Sequence, residues 1–97
     1  LIWYKNSEKN LSTLALFHLR YEKIHPFQDG NGRTGRMILF REALKNDIIP
    51  PIIHYENSIE YIEGIKEYSE TDSPDKMYRL LTKEQSEYKK TVEFFLG

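Results

Sequence analysis

Apolar residues recur at helical spacing on both sides of a single interruption. Leu11, Leu14, Ala15, His18, Tyr21 or Glu22, and His25 follow one another at intervals of three and four, and Met37, Phe40 and Leu44 do the same further on. Between the two patterns stand one proline and three glycines. The first helix, about 11–24, is apolar on most sides and is expected to be central and buried, with Asn10 or Ser12 as its cap. The second is expected from Gly32 or Arg33 to Asn46, with Ile38, Leu39, Phe40, Ala43 and Leu44 forming a wide apolar face. Asn46-Asp47 and Pro50-Pro51 end it. Two central prolines exclude a paired strand over Ile48 to Ile53, so this stretch reads as an extended connector pressed on the core.

Asn57-x-x-Glu60 resembles a capping box and predicts a helix to about Tyr68, with Ile59, Ile62 and Ile65 inward. Ser73-Pro74 supplies an N-cap followed by proline in the first turn of a long last helix, to about Phe95. Met77, Leu80 or Leu81, Glu84, Tyr88, Val92 and Phe95 are spaced for one face of it. Its charges, Lys83, Glu84, Glu87, Lys89 and Lys90, are expected mostly at a solvated surface. Leu1 to Tyr4 reads as the tail of an earlier helix, with Trp3 in a packing role. The expected fold class is all-α: four main helices, with a glycine-rich loop between the first two complete ones.

Ninety-seven residues make one small domain with a modest core. A hydrophobic content of 39% against 30% charged residues points to a soluble globular chain. The net charge of -1 gives no electrostatic basis for nucleic acid or an acidic membrane as partner. Without cysteine there is neither a disulfide nor a thiolate metal site, which suits a cytoplasmic protein. No apolar run approaches transmembrane length.

The chemistry concentrates in His25-Pro26-Phe27-Gln28-Asp29-Gly30-Asn31-Gly32-Arg33, continued by Thr34-Gly35-Arg36. Glycines let backbone N–H groups turn inward as a nest, and the start of a helix adds unpaired donors and a positive dipole end. Such a loop is suited to an anion, most often phosphate. Arg33 and Arg36 fall on one face of the first turns, where cations oppose the dipole at a cost of about 0.3–1 kcal/mol each. A bound polyanion reverses that cost. His25 is positioned to take a proton from an incoming hydroxyl. Asp29 is a hard oxygen ligand suited to Mg²⁺ that also binds substrate phosphates, and Asn31 offers an amide donor. These are the parts needed for phosphoryl or nucleotidyl transfer. A dinucleotide fingerprint, Gly30-x-Gly32-x-x-Gly35, is rejected because it follows a helix and not a strand. A calcium loop is rejected because Arg33 stands where an oxygen ligand is required.

His25 to Arg33 resembles the active-site motif of the Fic family (filamentation induced by cyclic AMP), H-P-F-x-[D/E]-G-N-[G/K]-R, at all nine positions, and Arg36 matches the second arginine of active members. The resemblance runs from about Leu11 to Pro51 and more loosely beyond. It implies transfer of AMP from Mg-ATP to a serine, threonine or tyrosine hydroxyl of a target protein. It implies His25 as the catalytic base, Phe27 as the plug that anchors the loop, and Asp29 as the Mg²⁺ ligand. Gly30, Asn31 and Gly32 become the anion cradle, and Arg33 and Arg36 the triphosphate clamps. Gly32, where the death-on-curing branch has lysine, favours nucleotidyl transfer over phosphate transfer.

Fic-like proteins carry a target-aligning β-hairpin flap before the buried helix, and nothing in Leu1 to Asn10 matches it. No Ser or Thr precedes Glu63-Gly64 or Glu56-Asn57 at the spacing of the family's inhibitory helix. Residues 1–97 are therefore expected to be the C-terminal core of a Fic domain, with the flap upstream and inhibition supplied by an upstream helix or a partner. On that expectation the chain binds Mg-ATP but modifies targets weakly or not at all, and bared apolar surface favours a homo-oligomer. The competing readings are transfer from UTP or GTP, and a nucleotide- or partner-binding module of regulatory or toxin–antitoxin type without turnover. Among the remaining residues, His18 reads as a hydrogen-bonded structural histidine and not a second base, and His54 as an ordinary surface histidine. Tyr61 and Tyr68 read as amphipathic edge packing, with a place beside the nucleotide or target site as the alternative.

Overall fold

Asn10 starts the central helix by accepting the Thr13 N–H on its side-chain oxygen at 2.9 Å. Helix α2 then runs Leu11–Ile24, preceded by a short α1, Ile2–Lys5. The computed structural model of the chain describes residues 2–24 and 31–96, with the backbone alone at 2, 24 and 31–33. Helix α3 is Asn31–Lys45, α4 is Ser58–Thr71 and α5 is Asp75–Leu96, with a 3₁₀ turn at Tyr55–Asn57 before α4. Among the described residues there is no strand, so the chain is all-α as expected. The glycine-rich loop lies outside the described residues.

Helix α2 is the hub, packing against α3, α4 and α5. Leu14, Ala15, Leu19, Leu39, Ala43, Met77, Leu80 and Leu81 form the dry centre. Helix α1 closes one side: the Tyr4 and Phe17 rings lie 4.3 Å apart, and the Tyr4 hydroxyl donates to Glu42 Oε1 at 2.8 Å. Burial, with the Glu42 carboxylate beside it, holds that hydroxyl well above its ordinary pKa.

Helix α3 ends on Asp47 in the left-handed region, φ 57°, with Ile48 N–H on the Ala43 carbonyl and Asp47 N–H on that of Leu44. This is the Schellman pattern with aspartate where glycine is commonest, and Ile48 packs back on the core. The following connector is extended and pressed on the core, with Pro50 and Pro51 buried. Gln85 Nε2 donates to the Ile49 carbonyl at 2.8 Å and ties the connector to α5.

Several expected faces are turned. Met37 and Leu44 of α3 are exposed, because Gly35, Leu39 and Ala43 face inward, and the two small residues admit close approach. Ile59 and Ile62 are also exposed, at 74% and 61%, and Tyr61, Gly64 and Tyr68 are the buried positions of α4. The reason is again steric: α4 lies so close to α5 at Gly64 that a Cβ there would stand 3.2 Å from the Met77 backbone nitrogen, a tight contact. Asn57 makes no side-chain cap; its oxygen accepts from Lys83 Nζ at 3.2 Å. Phe95 is 79% exposed and not part of the inner face of α5. On the same helix, Ser73 Oγ accepts the Asp75 N–H at a long 3.4 Å, as the Ser-Pro start predicts.

Glu84 and His54 are the larger correction. Glu84 is fully buried and not a solvated charge, and His54, at the surface as expected, is its partner. Glu84 accepts the His54 backbone N–H at 2.5 Å and the ring Nδ1–H at 3.0 Å. Burial raises the carboxyl, but these bonds and one from Asn57 outweigh it and leave Glu84 below its ordinary pKa. The same hydrogen bond and charge hold His54 above its ordinary value.

Two measurements follow from this packing. Gly64→Leu is expected to lower stability in urea unfolding by about 1–3 kcal/mol. Gly64→Ala is expected to be near neutral, because the alanine helix preference of about 1 kcal/mol offsets the tight contact. A Gly64→Leu variant as stable as wild type would show that α4 and α5 do not meet there. For the Glu84–His54 pair, the stability due to Glu84 is present above its ordinary value of 4.5 and is lost as pH falls through its lowered folded value. That due to His54 is fully present below 6.5 and is lost as pH rises through its raised folded value. The excess in thermal midpoint of wild type over Glu84→Gln is therefore expected to peak between pH 4.5 and 6.5. A pH-independent difference would refute the pairing.

Candidate functional site at the start of helix α3

Asn31, Gly32 and Arg33, the last third of the nine-residue motif, form the first turn of α3. The N–H groups of that turn have no partner within the helix, and the positive end of the helix dipole lies there. Of the predicted site residues, His25, Asp29 and Gly30 lie outside the described residues. For Asn31, Gly32 and Arg33 only the backbone is described, and Arg36 is described in full.

Beneath that first turn α2 and α3 meet at Gly35, which is buried. A Cβ at this position would stand 2.1 Å from Glu22 Oε1 and 3.3 Å from His18 Cε1. The hydrogen of glycine is what lets these two side chains lie flat against α3. Both belong to the inward face of α2, at positions i and i+4, and both are buried, His18 at 1% and Glu22 at 5% exposure.

His18 Nε2 lies 2.6 Å from the Tyr61 hydroxyl, so α4 enters the site. Burial pushes the His18 imidazole down to about 4; the Arg36 charge acts the same way, and a hydrogen bond with the Gly35 backbone opposes both. His18 is thus neutral at pH 7 and bonded on the core side, as expected of a structural histidine. Among the described residues Glu22 Oε1 has no hydrogen-bond partner, and it stands 4.0 Å from His18 Nε2. Burial raises the Glu22 carboxyl and Arg36 pulls it down, with the balance above the ordinary value.

Arg36 completes the cluster. Its guanidinium carbon lies 5.3 Å from the centre of the Tyr61 ring, and it hydrogen-bonds the Tyr61 side chain. Burial first, and the Glu22 charge second, hold the Tyr61 hydroxyl protonated, well above its ordinary pKa. Tyr61 therefore stands beside the candidate site, whereas Tyr68 packs in the core with Lys23 Nζ 5.6 Å from its ring centre.

Sequence reasoning missed Glu22 and the Tyr61 contact. The available signal was His18 and Glu22 one turn apart on the face that leads to His25. On the outer side, Met37, Ile38 and Phe40 face Pro51, Ile52 and Ile53 across an open cleft of about 730 Å³, with Arg36 and Arg41 as its cations. Among the described residues no three His, Cys, Asp or Glu side chains cluster as a metal site.

Comparison with known proteins bears on the same residues. The Fic/DOC family model matches residues 1–42, which include the whole motif. A probable protein adenylyltransferase of Aquifex aeolicus is 35% identical over 71 residues, covering 70% of this chain and 21% of the relative. A protein adenylyltransferase Fic of Nematostella vectensis is 34% identical over 58 residues, 60% of this chain and 14% of the relative. A protein adenylyltransferase of Caenorhabditis elegans is 38% identical over 51 residues, 53% of this chain and 10% of the relative. The chain thus spans about a fifth or less of the length of these relatives. With the family's motif opening a helix that packs on a buried α2, and with relatives named for one activity, this chain belongs to the Fic/DOC family.

Proposed function

We propose that the protein to which this chain belongs is a protein adenylyltransferase, moving AMP from Mg-ATP to a side-chain hydroxyl of a target protein. The observation that carries the reading is the motif's position: its last third is the first turn of α3, with Arg36 on the next turn. Unpaired N–H donors, a dipole end and cations suit a triphosphate. The printed names of the relatives support AMP as the group transferred.

In this reading His25 removes the proton from the attacking hydroxyl as its oxygen bonds to the α-phosphorus and pyrophosphate leaves. The backbone of Gly30, Asn31 and Gly32 holds phosphate oxygens, and Arg33 and Arg36 neutralise the charge that builds on the leaving pyrophosphate. Mg²⁺, when bound through Asp29, supplies charge neutralisation and orientation of the phosphates. Inhibition is assigned to an upstream helix or a partner protein, and the working compartment to the cytoplasm. Among the described residues no helix is long and apolar enough to cross a membrane.

The test uses the full-length protein with labelled ATP, a cell lysate, and parallel calorimetry. His25→Ala is expected to reduce transfer by about 10²–10⁴-fold with Mg-ATP affinity retained. Asp29→Ala and Arg33→Ala are expected to weaken Mg-ATP binding itself, and Gly32→Lys to slow AMP transfer by placing a long cation in the cradle. Near wild-type transfer by His25→Ala would end its role as base. Nucleotide binding without any label transfer by the wild type would favour a binding module instead, and preferential use of UTP or GTP would correct the nucleotide.

A further inference from the structure

Tyr61 lies on α4, remote in sequence from the motif, yet its side chain joins two groups on different helices. Arginine carries only donors, so in the Arg36–Tyr61 hydrogen bond the tyrosine oxygen accepts. The phenol has one proton to give, and His18 Nε2 lies 2.6 Å away. Neutral His18 has one bare nitrogen, and with the ring hydrogen on Nδ1 that nitrogen is Nε2, which then accepts the tyrosine proton. In that tautomer the bonds run in one direction, from the Arg36 guanidinium to the Tyr61 oxygen and from the Tyr61 hydroxyl to His18. His18 is itself anchored against the backbone of Gly35, the residue before Arg36. The circuit leaves α3 at Arg36, crosses α4 and α2, and returns to α3 one residue away.

A half-exposed arginine on a free surface loses rotamer freedom when it binds an anion, and that loss weakens binding. Arg36 is already restrained by the ring face and the hydroxyl of Tyr61. We propose that Tyr61 is a positioning residue for Arg36: its hydroxyl, oriented by His18, accepts a guanidinium N–H and holds that cation over the first turns of α3, ready for the pyrophosphate portion of the nucleotide. The nucleotide part of this inference rests on the adenylyltransferase reading; the restraint on Arg36 does not.

The experiment keeps the two apart. In the full-length protein without nucleotide, nitrogen-15 NMR of arginine Nε–H groups, assigned by loss of the signal in Arg36→Lys, reads the restraint directly. A separate, slowly exchanging Arg36 resonance is expected in the wild type, and its collapse into the exposed arginines in Tyr61→Phe. An Arg36 resonance unprotected from solvent in the wild type overturns the proposal without recourse to any variant, as does one unchanged in a folded Tyr61→Phe protein. For nucleotide, Tyr61→Phe is expected to weaken Mg-ATP binding about tenfold, in keeping with loss of a hydrogen bond to a charged group. In a double-mutant cycle with Arg36→Lys the two losses are expected to be far from additive. Additive losses would mean that Tyr61 acts only through the fold and would overturn its role in binding. If the wild type binds no Mg-ATP, the adenylyltransferase reading falls, while the NMR comparison still decides whether Tyr61 positions Arg36.

Discussion

The close approach of α2 and α3 at Gly35 is the constraint on which the site depends. Where a side chain would stand, Glu22 and His18 lie against the α3 backbone. With a wider separation, His18 would lose its contact with the Gly35 backbone. Two polar groups are thereby taken out of water, and one of them, Glu22 Oε1, gains no hydrogen bond from the described residues in return. Burial of an unpaired polar atom is a cost that folding alone does not explain. It falls directly under the first turn of the motif, where the helix opens toward the loop that carries His25.

The rest of the bundle serves to bring α4 to that point. The connector after α3 is extended and buried at its prolines, and it is pinned to α5 through Gln85 and Glu84 before α4 begins. Helix α4 then lies close against α5 at Gly64, which sets its rotation so that Tyr61 points at α2. The site is thus assembled from three helices, although the sequence motif touches only the segment leading from α2 into α3.

Much of this was legible in the chain. The all-α class, the central burial of α2, the cap at Asn10 and the ends of α3 follow from spacing, propensity and proline placement. What was not legible has a common cause. On α4 two helical stripes compete, Ile59–Ile62 and Tyr61–Gly64–Tyr68, and hydrophobicity favours the wrong one. The choice is made by steric room at Gly64 and by a hydroxyl partner on another helix, neither of which is a local property. Glu84 was misplaced for the same reason: a carboxylate in a charged helix reads as solvated unless its distant partners, the N–H and ring of His54, are known. The chemistry of the motif was readable because it is contiguous, and the Tyr61 contact was not, because it joins positions 25 and 43 residues apart.

Gly35 and Glu22 also limit how sequences of this shape can diverge. An alanine at 35 would put a methyl group on the space now held by Glu22 Oε1, so it is compatible with a residue at 22 that is shorter or that turns away. The two positions are therefore coupled, and a chain that loses the glycine is expected either to have lost the acid or to have turned its carboxylate out of the α2–α3 contact. Read across relatives, that change would mark which members keep an ionisable group beneath the first turns of α3 and which have replaced it with plain packing.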